Sequence, residues 1–301
     1  MKKLLKPCGG NMELIMTCKS KLKTPAPLIL SGNRSITTSN PVFVMGILNI
    51  NNDSFWEGSR AASVDSALRI ALKMVEDGAD IIDIGGESTR PGAGYISAEE
   101  ELKRIIPVIR EIRKHSQVVL SCDTRKSDVF RAAFEAGADI LNDISALQDD
   151  SFLAGYCSQV DCPVILMHKK GIPLTMQNNP GMRTPVKEVK KYLENAAKNA
   201  VKMGIKKSKI IIDPGIGFGK TYNDNISLIR GTGEIAKAGY PVLMALSRKT
   251  VIGDILNCGI QDRLYGTIAA NMISVLKGAS IIRVHDVKAH TDFIKVFKDL
   301  L

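Results

Sequence analysis

The chain has 301 residues, of which 45% are hydrophobic and 24% are charged, a composition that can bury a large core. The formal net charge is +10, but residues 1–41 carry seven basic side chains against one acid, so more than half of the excess lies there. The basic residues form no stripe interleaved with aromatic side chains, and no apolar run approaches the roughly 20 residues of a membrane span. We therefore expect neither nucleic-acid binding nor membrane insertion.

The N-terminal segment and the cysteines indicate the cellular compartment of the protein. None of the six cysteines forms a C-x-x-C pair, and a chain of this length needs no disulfide framework. No apolar signal segment follows the basic start, so we expect a protein of the reducing cytoplasm. An acid-poor tail with scattered Ser and Thr also fits an organelle transit peptide. We expect residues 1–33 to be a basic, poorly ordered extension and residues 34–301 to form one folded domain.

From residue 41 onward, short β-branched runs alternate eight times with amphipathic segments. The runs span 42–50, 79–86, 118–124, 139–145, 163–168, 209–215, 241–247 and 279–285. The segments between them predict helices at about 63–77, 126–136, 186–203, 224–238, 262–277 and 287–300, together with one that begins at Ser97 and a short one that begins at about Asp150. A capping box, SAEE, opens the second helix at Ser97. The runs are almost continuously hydrophobic, which is typical of parallel strands buried on both faces.

Eight such units in about 260 residues predict an α/β fold of the (β/α)8 TIM-barrel type. A doubly wound open sheet is the alternative, but no G-x-G-x-x-G follows the first strand. In a TIM barrel the active site forms at the C-terminal ends of the strands. Here those ends deliver polar groups from all eight strands: Asn49, the segment 85–94, Asp123, Asn142, His168, Asp213, the segment 247–249, and Arg283 with His285.

The side chains at these strand ends indicate a chemistry. Carboxylates and an amide can hold the N–H groups of a flat nitrogen heterocycle, while Arg and Lys can bind a phosphate ester. PGIGFGKT fails as a P-loop because Pro214 stands where the first glycine is required. We find no zinc motif and no Ser or Cys with an evident base partner, so covalent catalysis is not indicated.

Several polar residues have alternative interpretations. Asp83 fits a buried structural carboxylate as well as a functional one. His115 and His290 are expected to be solvated, and His168 by itself is no metal site. A pair of Asp213 and Lys249 could bind a ligand or form a simple salt bridge at the rim.

Five segments then resemble one family. MGILNINNDSF, DIGGESTRPGA, NDIS, DPGIGFGK and SRK are similar, in order and approximate spacing, to the motifs of dihydropteroate synthases over residues 41–300. The resemblance implies a TIM barrel that condenses 6-hydroxymethyl-7,8-dihydropterin pyrophosphate with p-aminobenzoate. It also implies Mg2+ as cofactor, sulfonamides as inhibitors, a place in folate biosynthesis and a homodimer.

The resemblance also implies a role for each matching residue. Those expected to bind substrate are Thr89, Arg90, Pro91, Asp123, Asn142, Met167, Asp213, Phe218, Lys249, Thr250 and Arg283. Of these, Asp123, Asn142, Asp213 and Lys249 would hold the pterin ring, and Pro91, Phe218, Lys249 and Thr250 would border p-aminobenzoate. Residues expected to act in catalysis are Asn49, Asp53, Arg90, Lys249, Arg283 and His285, with Asn49 also placed at the metal.

Some positions depart from the family pattern, and other functions compete. Asn51 and Asn52 stand where Thr-Pro is usual, which leaves the first loop less restricted in φ. Ala245 and Thr250 also differ from the residues common there. A pterin-binding methyltransferase domain uses the same barrel, and a non-catalytic pterin or phosphate binder is a second alternative. The SRK and GGESTRPG segments favour the synthase.

Overall fold

The computed structural model describes residues 23–50, 60–88, 94–171, 176 and 180–300. Eight parallel strands form one sheet. The strands are β3 (Phe43–Asn49), β4 (Ile81–Gly85), β5 (Val119–Asp123), β6 (Ile140–Asp143), β7 (Val164–Met167), β8 (Ile210–Asp213), β9 (Leu243–Met244) and β10 (Ile281–Val284). Their spatial order is β8-β7-β6-β5-β4-β3-β10-β9. A parallel bridge between Ile212 and Val242 joins the first and last strands of that order. The predicted (β/α)8 barrel is confirmed.

The alternation of side chains along each strand explains how the barrel is filled. Phe43 and Met45 point into an inner core, whereas Val44 lies in a second core between the strands and the helices. The inner core also takes one residue from the start of each other strand: Ile81, Val119, Ile140, Ile165, Ile211, Leu243 and Ile281. Side chains at i and i+2 share a face, so the inward positions nearer the strand ends include the polar residues Asp83, Asp123, Asn142, Asp213 and Arg283.

Ten helices surround the described part of the barrel: α1 (Arg60–Glu76), α2 (Ala98–His115), α3 (Ser127–Ala136), α4 (Phe152–Gln159), α5 (Pro185–Lys202), α6 (Tyr222–Arg230), α7 (Thr232–Ala236), α8 (Thr250–Leu256), α9 (Leu264–Leu276) and α10 (Val287–Leu300). The Ser97 hydroxyl accepts from the backbone of Glu100, as predicted at the start of α2. The helix predicted at 224–238 is instead two helices that meet at Gly231. In the described residues, no helix combines the length and the apolar character that crossing a membrane requires.

A short hairpin closes the end of the barrel opposite the polar strand ends. Strands β1 (Leu28–Ile29) and β2 (Ser35–Ile36) pair antiparallel, and Leu28 and Leu30 are buried in the inner core. Lys209 Nζ donates to the Leu30 carbonyl at 3.1 Å. The domain boundary expected after residue 33 therefore falls inside this hairpin, because two leucines of the segment cover the apolar base of the barrel. Residues 1–22 lie outside the described residues.

We expect Leu30→Ala to lower the free energy of unfolding by about 2–5 kcal/mol, because it removes a buried leucine from a packed core. Catalytic constants should be unchanged, since the hairpin is at the far end of the barrel. Val201→Ala, at an exposed position, is the matched control and should have little effect. Urea titration measures both, and an unchanged midpoint for Leu30→Ala would show that the hairpin adds no stability.

Candidate active site

Four polar side chains from four strands meet inside the barrel mouth. Arg283 Nε donates to Asp83 Oδ2 at 2.6 Å, and its Nη2 donates to Asp123 Oδ2 at 2.9 Å. Asn142 Nδ2 donates to the same Asp83 oxygen at 3.1 Å. Asp83 is fully buried, so it lies beneath the other three. Asp83, which the sequence left as either a structural or a functional carboxylate, therefore fixes the orientation of Arg283 and Asn142.

Burial sets the electrostatics of this group. It raises the pKa of Asp123 above the ordinary value of 3.8, although the Arg283 guanidinium opposes the shift. Burial alone would lower the pKa of Arg283, but the carboxylates of Asp83 and Asp123 raise it above its usual value. Arg283 is therefore a permanent cation held in one orientation at the barrel mouth.

Asp213 and Lys249 lie on the neighbouring side of the mouth. Asp213 Oδ1 accepts from the backbone N–H of Gly215 at 2.6 Å. Lys249 donates to the Ile216 carbonyl, and its Nζ lies 4.6 Å from the centroid of the Phe218 ring. Among the described ion pairs, none joins Lys249 to Asp213, so the rim salt bridge considered from the sequence is not what the two residues form. Their charges still interact: burial raises the pKa of Asp213, and the positive charge of Lys249 opposes that shift.

A gap between two oxygen donors could take a cation. A side chain at Gly85 would begin 3.8 Å from Asn49 Oδ1 and 3.7 Å from Asp123 Oδ2, so the glycine keeps open the space between an amide oxygen and a carboxylate oxygen. Both are hard donors of the kind that Mg2+ prefers. Within the described ranges, no cluster of three or more His, Cys, Asp or Glu could hold a metal. Protein donors here would therefore need phosphate oxygens and water to complete an octahedral shell.

His285 is held by Ser247, the first residue of the SRK segment, and Arg248 is held by Asp286, which the sequence did not single out. His285 Nδ1 lies 2.9 Å from the Ser247 hydroxyl, which also accepts from the His285 backbone N–H at 3.1 Å. Arg248 makes two bonds to the Asp286 carboxylate, at 3.0 and 2.6 Å. The SRK segment thus supplies one ligand candidate, Lys249, and two side chains that secure β9 against β10.

The remaining predicted residues divide into three groups. Met167 is buried at the end of β7, directly opposite Asp213 in the strand register. Thr250 is exposed at the first position of α8, so it reaches the site only from its edge. The others lie outside the described residues: Asp53, Thr89, Arg90 and Pro91.

Two histidine expectations have different outcomes. His115 is exposed as predicted. The prediction for His290 is wrong: it is buried, with Nε2 3.0 Å from Asn271 Nδ2 and Nδ1 2.8 Å from the Asp286 carbonyl. Its helical spacing from the apolar residues Val287 and Ile294, which are buried on the same face of α10, could have indicated burial.

Comparison with known proteins points to one family. A model of the pterin binding enzyme family matches residues 45–285. The dihydropteroate synthase of Haemophilus influenzae is 42% identical over 90% of this chain and 98% of its own length. Among solved structures, the Xanthomonas albilineans dihydropteroate synthase with 4-aminobenzoic acid has a TM-score of 0.85 and 38% identity, over 92% of this chain and 98% of that one. The same enzyme in complex with 7,8-dihydropteroate has a TM-score of 0.82 and 36% identity, over 91% and 98%.

Proposed function

We infer the reaction of this chain from its family: it belongs to the pterin binding enzymes and, among them, to the dihydropteroate synthases. It is therefore a transferase of folate biosynthesis. We propose that it joins 6-hydroxymethyl-7,8-dihydropterin pyrophosphate to p-aminobenzoate. The observation that carries the proposal is the set of inward-facing polar residues at the barrel mouth, centred on Asp123, Asn142, Asp213 and Arg283.

The pterin is proposed to lie flat between these strand ends. Its ring N–H groups require acceptors, which the carboxylates of Asp123 and Asp213 and the amide oxygen of Asn142 supply. Lys249 would turn from the Ile216 carbonyl to a ring acceptor. Met167 offers an apolar, polarizable surface for the face of the ring. A relative was solved in complex with 7,8-dihydropteroate, which supports a pterin as the ligand.

The leaving pyrophosphate requires cations. Arg283 at the mouth and His285 on the same strand end would bind its oxygens, with Thr89 and Arg90 added from the second loop. Asn49 would help to hold Mg2+, and the bound ion would supply positive charge to the leaving oxygen. Donors that are already oriented stabilise such charge most effectively, and Asp83 orients Arg283 in this way.

The residues favour a dissociative displacement. The bond from the methylene carbon to the pyrophosphate oxygen breaks first, and the electron pair leaves with the oxygen. The carbocation that remains is delocalised into the pterin, where the carboxylates of Asp123 and Asp213 favour positive charge. The amine nitrogen then forms the new C–N bond and releases a proton. A neutral aromatic amine needs no strong general base for this attack, which agrees with the absence of a nucleophile–base pair in the sequence.

A direct assay tests the proposal. The purified chain, supplied with the pterin pyrophosphate, p-aminobenzoate and Mg2+, should form dihydropteroate and pyrophosphate in equal amounts. Excess EDTA should stop the reaction, and added Mg2+ should restore it. Product formation that continues in EDTA would contradict the metal assignment alone. A folded protein that forms no product under any of these conditions would contradict the proposed reaction.

The pH dependence of kcat/KM should report the ionisation of Lys249. Burial lowers the pKa of Lys249 to about 8, so the ammonium is present below that pH and is lost above it. We expect kcat/KM for the pterin pyrophosphate to fall about tenfold per pH unit above pH 8, since this ratio reports ionisations of the free enzyme. Lys249→Arg stays charged and should lose this decline, whatever its absolute activity. The same decline in both proteins would assign it to another group.

We also propose a homodimer through α9. Its outward face carries an apolar stripe: Tyr265, Ala269, Ile273 and Leu276 are all exposed. Exposed apolar patches of this kind mark interfaces. Analytical ultracentrifugation should give twice the chain mass for the wild type and a single chain mass for Ile273→Glu. A wild-type protein that sediments as a monomer at micromolar concentration would exclude this interface.

A further inference from the structure

A buried lysine that the proposed reaction does not use lies behind the site. Lys220 is only 3% exposed. Its Nζ donates to the carbonyls of Gly215 at 2.6 Å, Phe218 at 3.1 Å and His168 at 3.2 Å. It also lies 3.0 Å from His168 Nδ1. One ammonium group therefore ties the 214–219 loop after β8 to the end of β7.

We propose that Lys220 is a positioning residue for the aromatic amine: it fixes the 214–219 loop and, through it, the Phe218 side chain that borders the amine. The inference rests on the proposed function, because it assigns Phe218 to the p-aminobenzoate side of the site. Lys220 itself touches no substrate.

The backbone of this loop explains why it needs an internal donor. Gly215 and Gly219 have φ of +65° and +66°, and a side chain on them would begin 2.0 Å from the His168 carbonyl oxygen and 2.2 Å from that of Lys170. The loop thus lies directly against residues 168–170, with no side chains of its own between them. Two carbonyls of the loop turn inward, and a buried carbonyl without a donor is costly. Lys220 supplies both donors.

The two lysines beside the loop differ in what they can do. Lys249 donates to Ile216 from the site side, and it must give up that bond to reach a pterin acceptor. The bonds from Lys220 to Gly215 and Phe218 flank Ile216 and do not depend on ligand. Lys220 therefore holds the loop in register while Lys249 changes partner.

The buried position of Lys220 disfavours its charged form. Burial and, to a smaller extent, the nearby charge of Lys249 together lower the pKa of Lys220 to about 7, while Asp213 and Asp224 oppose the shift. Ionisable groups with strongly shifted pKa values are concentrated at functional sites. The shifted pKa of Lys220 therefore agrees with a role in the neighbouring site.

The inference predicts a selective kinetic defect. In Lys220→Met, the KM for p-aminobenzoate should rise about tenfold while the KM for the pterin pyrophosphate changes less than about twofold. Three of the pterin ligands, Asp123, Asn142 and Asp213, lie on strands, so loosening the loop should leave them in place. Lys206→Met removes an exposed lysine that pairs with Asp161 and is the matched control. Phe218→Ala should cause a similar rise, and combining it with Lys220→Met should add little, because coupled residues are non-additive.

A second measurement does not depend on activity. Hydrogen exchange of the amides in 215–219 should be about tenfold faster in Lys220→Met than in wild type or Lys206→Met. Equal rises in both KM values, an additive double variant or unchanged exchange would overturn the inference. If Lys220→Met and Lys220→Gln both fail to fold, Lys220 is a structural residue and the inference is wrong. A wild type that makes no dihydropteroate would instead contradict the proposed function, and the exchange result would still decide whether Lys220 fixes the loop.

Discussion

Arg283→Met should lower kcat/KM by about 100-fold or more and destabilise the protein by about 3–5 kcal/mol. The kinetic loss follows because the fixed cation at the barrel mouth would no longer meet the pyrophosphate. The loss of stability has a separate cause. Asp83 is fully buried and paired with Arg283 at 2.6 Å, so the variant leaves an uncompensated carboxylate in the core.

A second substitution separates the two effects. Adding Asp83→Asn to Arg283→Met removes the fully buried charge and keeps an oxygen for the Asn142 amide, which donates to Asp83 at 3.1 Å. Asp123 still lacks its partner, so the double variant should recover part of the stability and none of the activity. Thermal melts and steady-state kinetics on the two variants and on Asp83→Asn measure this. If activity returned together with stability, Arg283 would be a structural residue and its assignment to the pyrophosphate would be wrong.

The position of this centre could be predicted from the sequence because strands alternate with period two. Once the strand beginning at Ile81 is recognised, Asp83 must share the inward face of Ile81, and the same reasoning carries Val119 to Asp123 and Ile281 to Arg283. What could not be predicted was which of these groups touch. That depends on barrel closure, which brings β4, β5 and β10 together from positions up to 200 residues apart.

The failures have a different physical origin. The hairpin of β1 and β2 is too short to show a periodic pattern in the sequence, and its leucines lie next to a basic segment that is predicted to be poorly ordered. Their burial is explained by the apolar base of the barrel, which they cover. Lys220 lies in the segment that fails as a P-loop, and a lysine in a glycine-rich loop suggests a phosphate ligand rather than a donor to backbone carbonyls. Its carbonyl partners depend on the left-handed backbone at Gly215 and Gly219, which no residue pattern specifies.

Asp213→Asn should lower kcat/KM for the pterin pyrophosphate by about 100-fold, since losing a charged hydrogen bond to a buried ligand costs several kcal/mol. An asparagine side chain can still accept from Gly215 through its oxygen, but it presents an N–H group to the ring where the pterin requires an acceptor. It also removes negative charge from beside the proposed carbocation.

The melting temperature should not fall, and the pKa gives the reason. Burial raises the pKa of Asp213 above 3.8, although Lys249 opposes the shift. A carboxyl with a raised pKa in the folded state costs stability as pH rises from the unfolded value through the folded one. At neutral pH the asparagine variant escapes this cost. Below pH 3.8, where the carboxyl is protonated in both states, its advantage should disappear.

Asp224 provides the matched control, because it is as buried as Asp213 but has a purely structural role. Its carboxylate accepts from the Thr221 backbone at 2.9 Å in the capping box that begins α6. Asp224→Asn should therefore lower the melting temperature, since a cap contributes about 1 kcal/mol, and should leave kcat/KM near the wild-type value. If Asp213→Asn behaved like this control, losing stability and keeping kcat/KM, then Asp213 would support the loop after β8 and the pterin would have to be held by other strands.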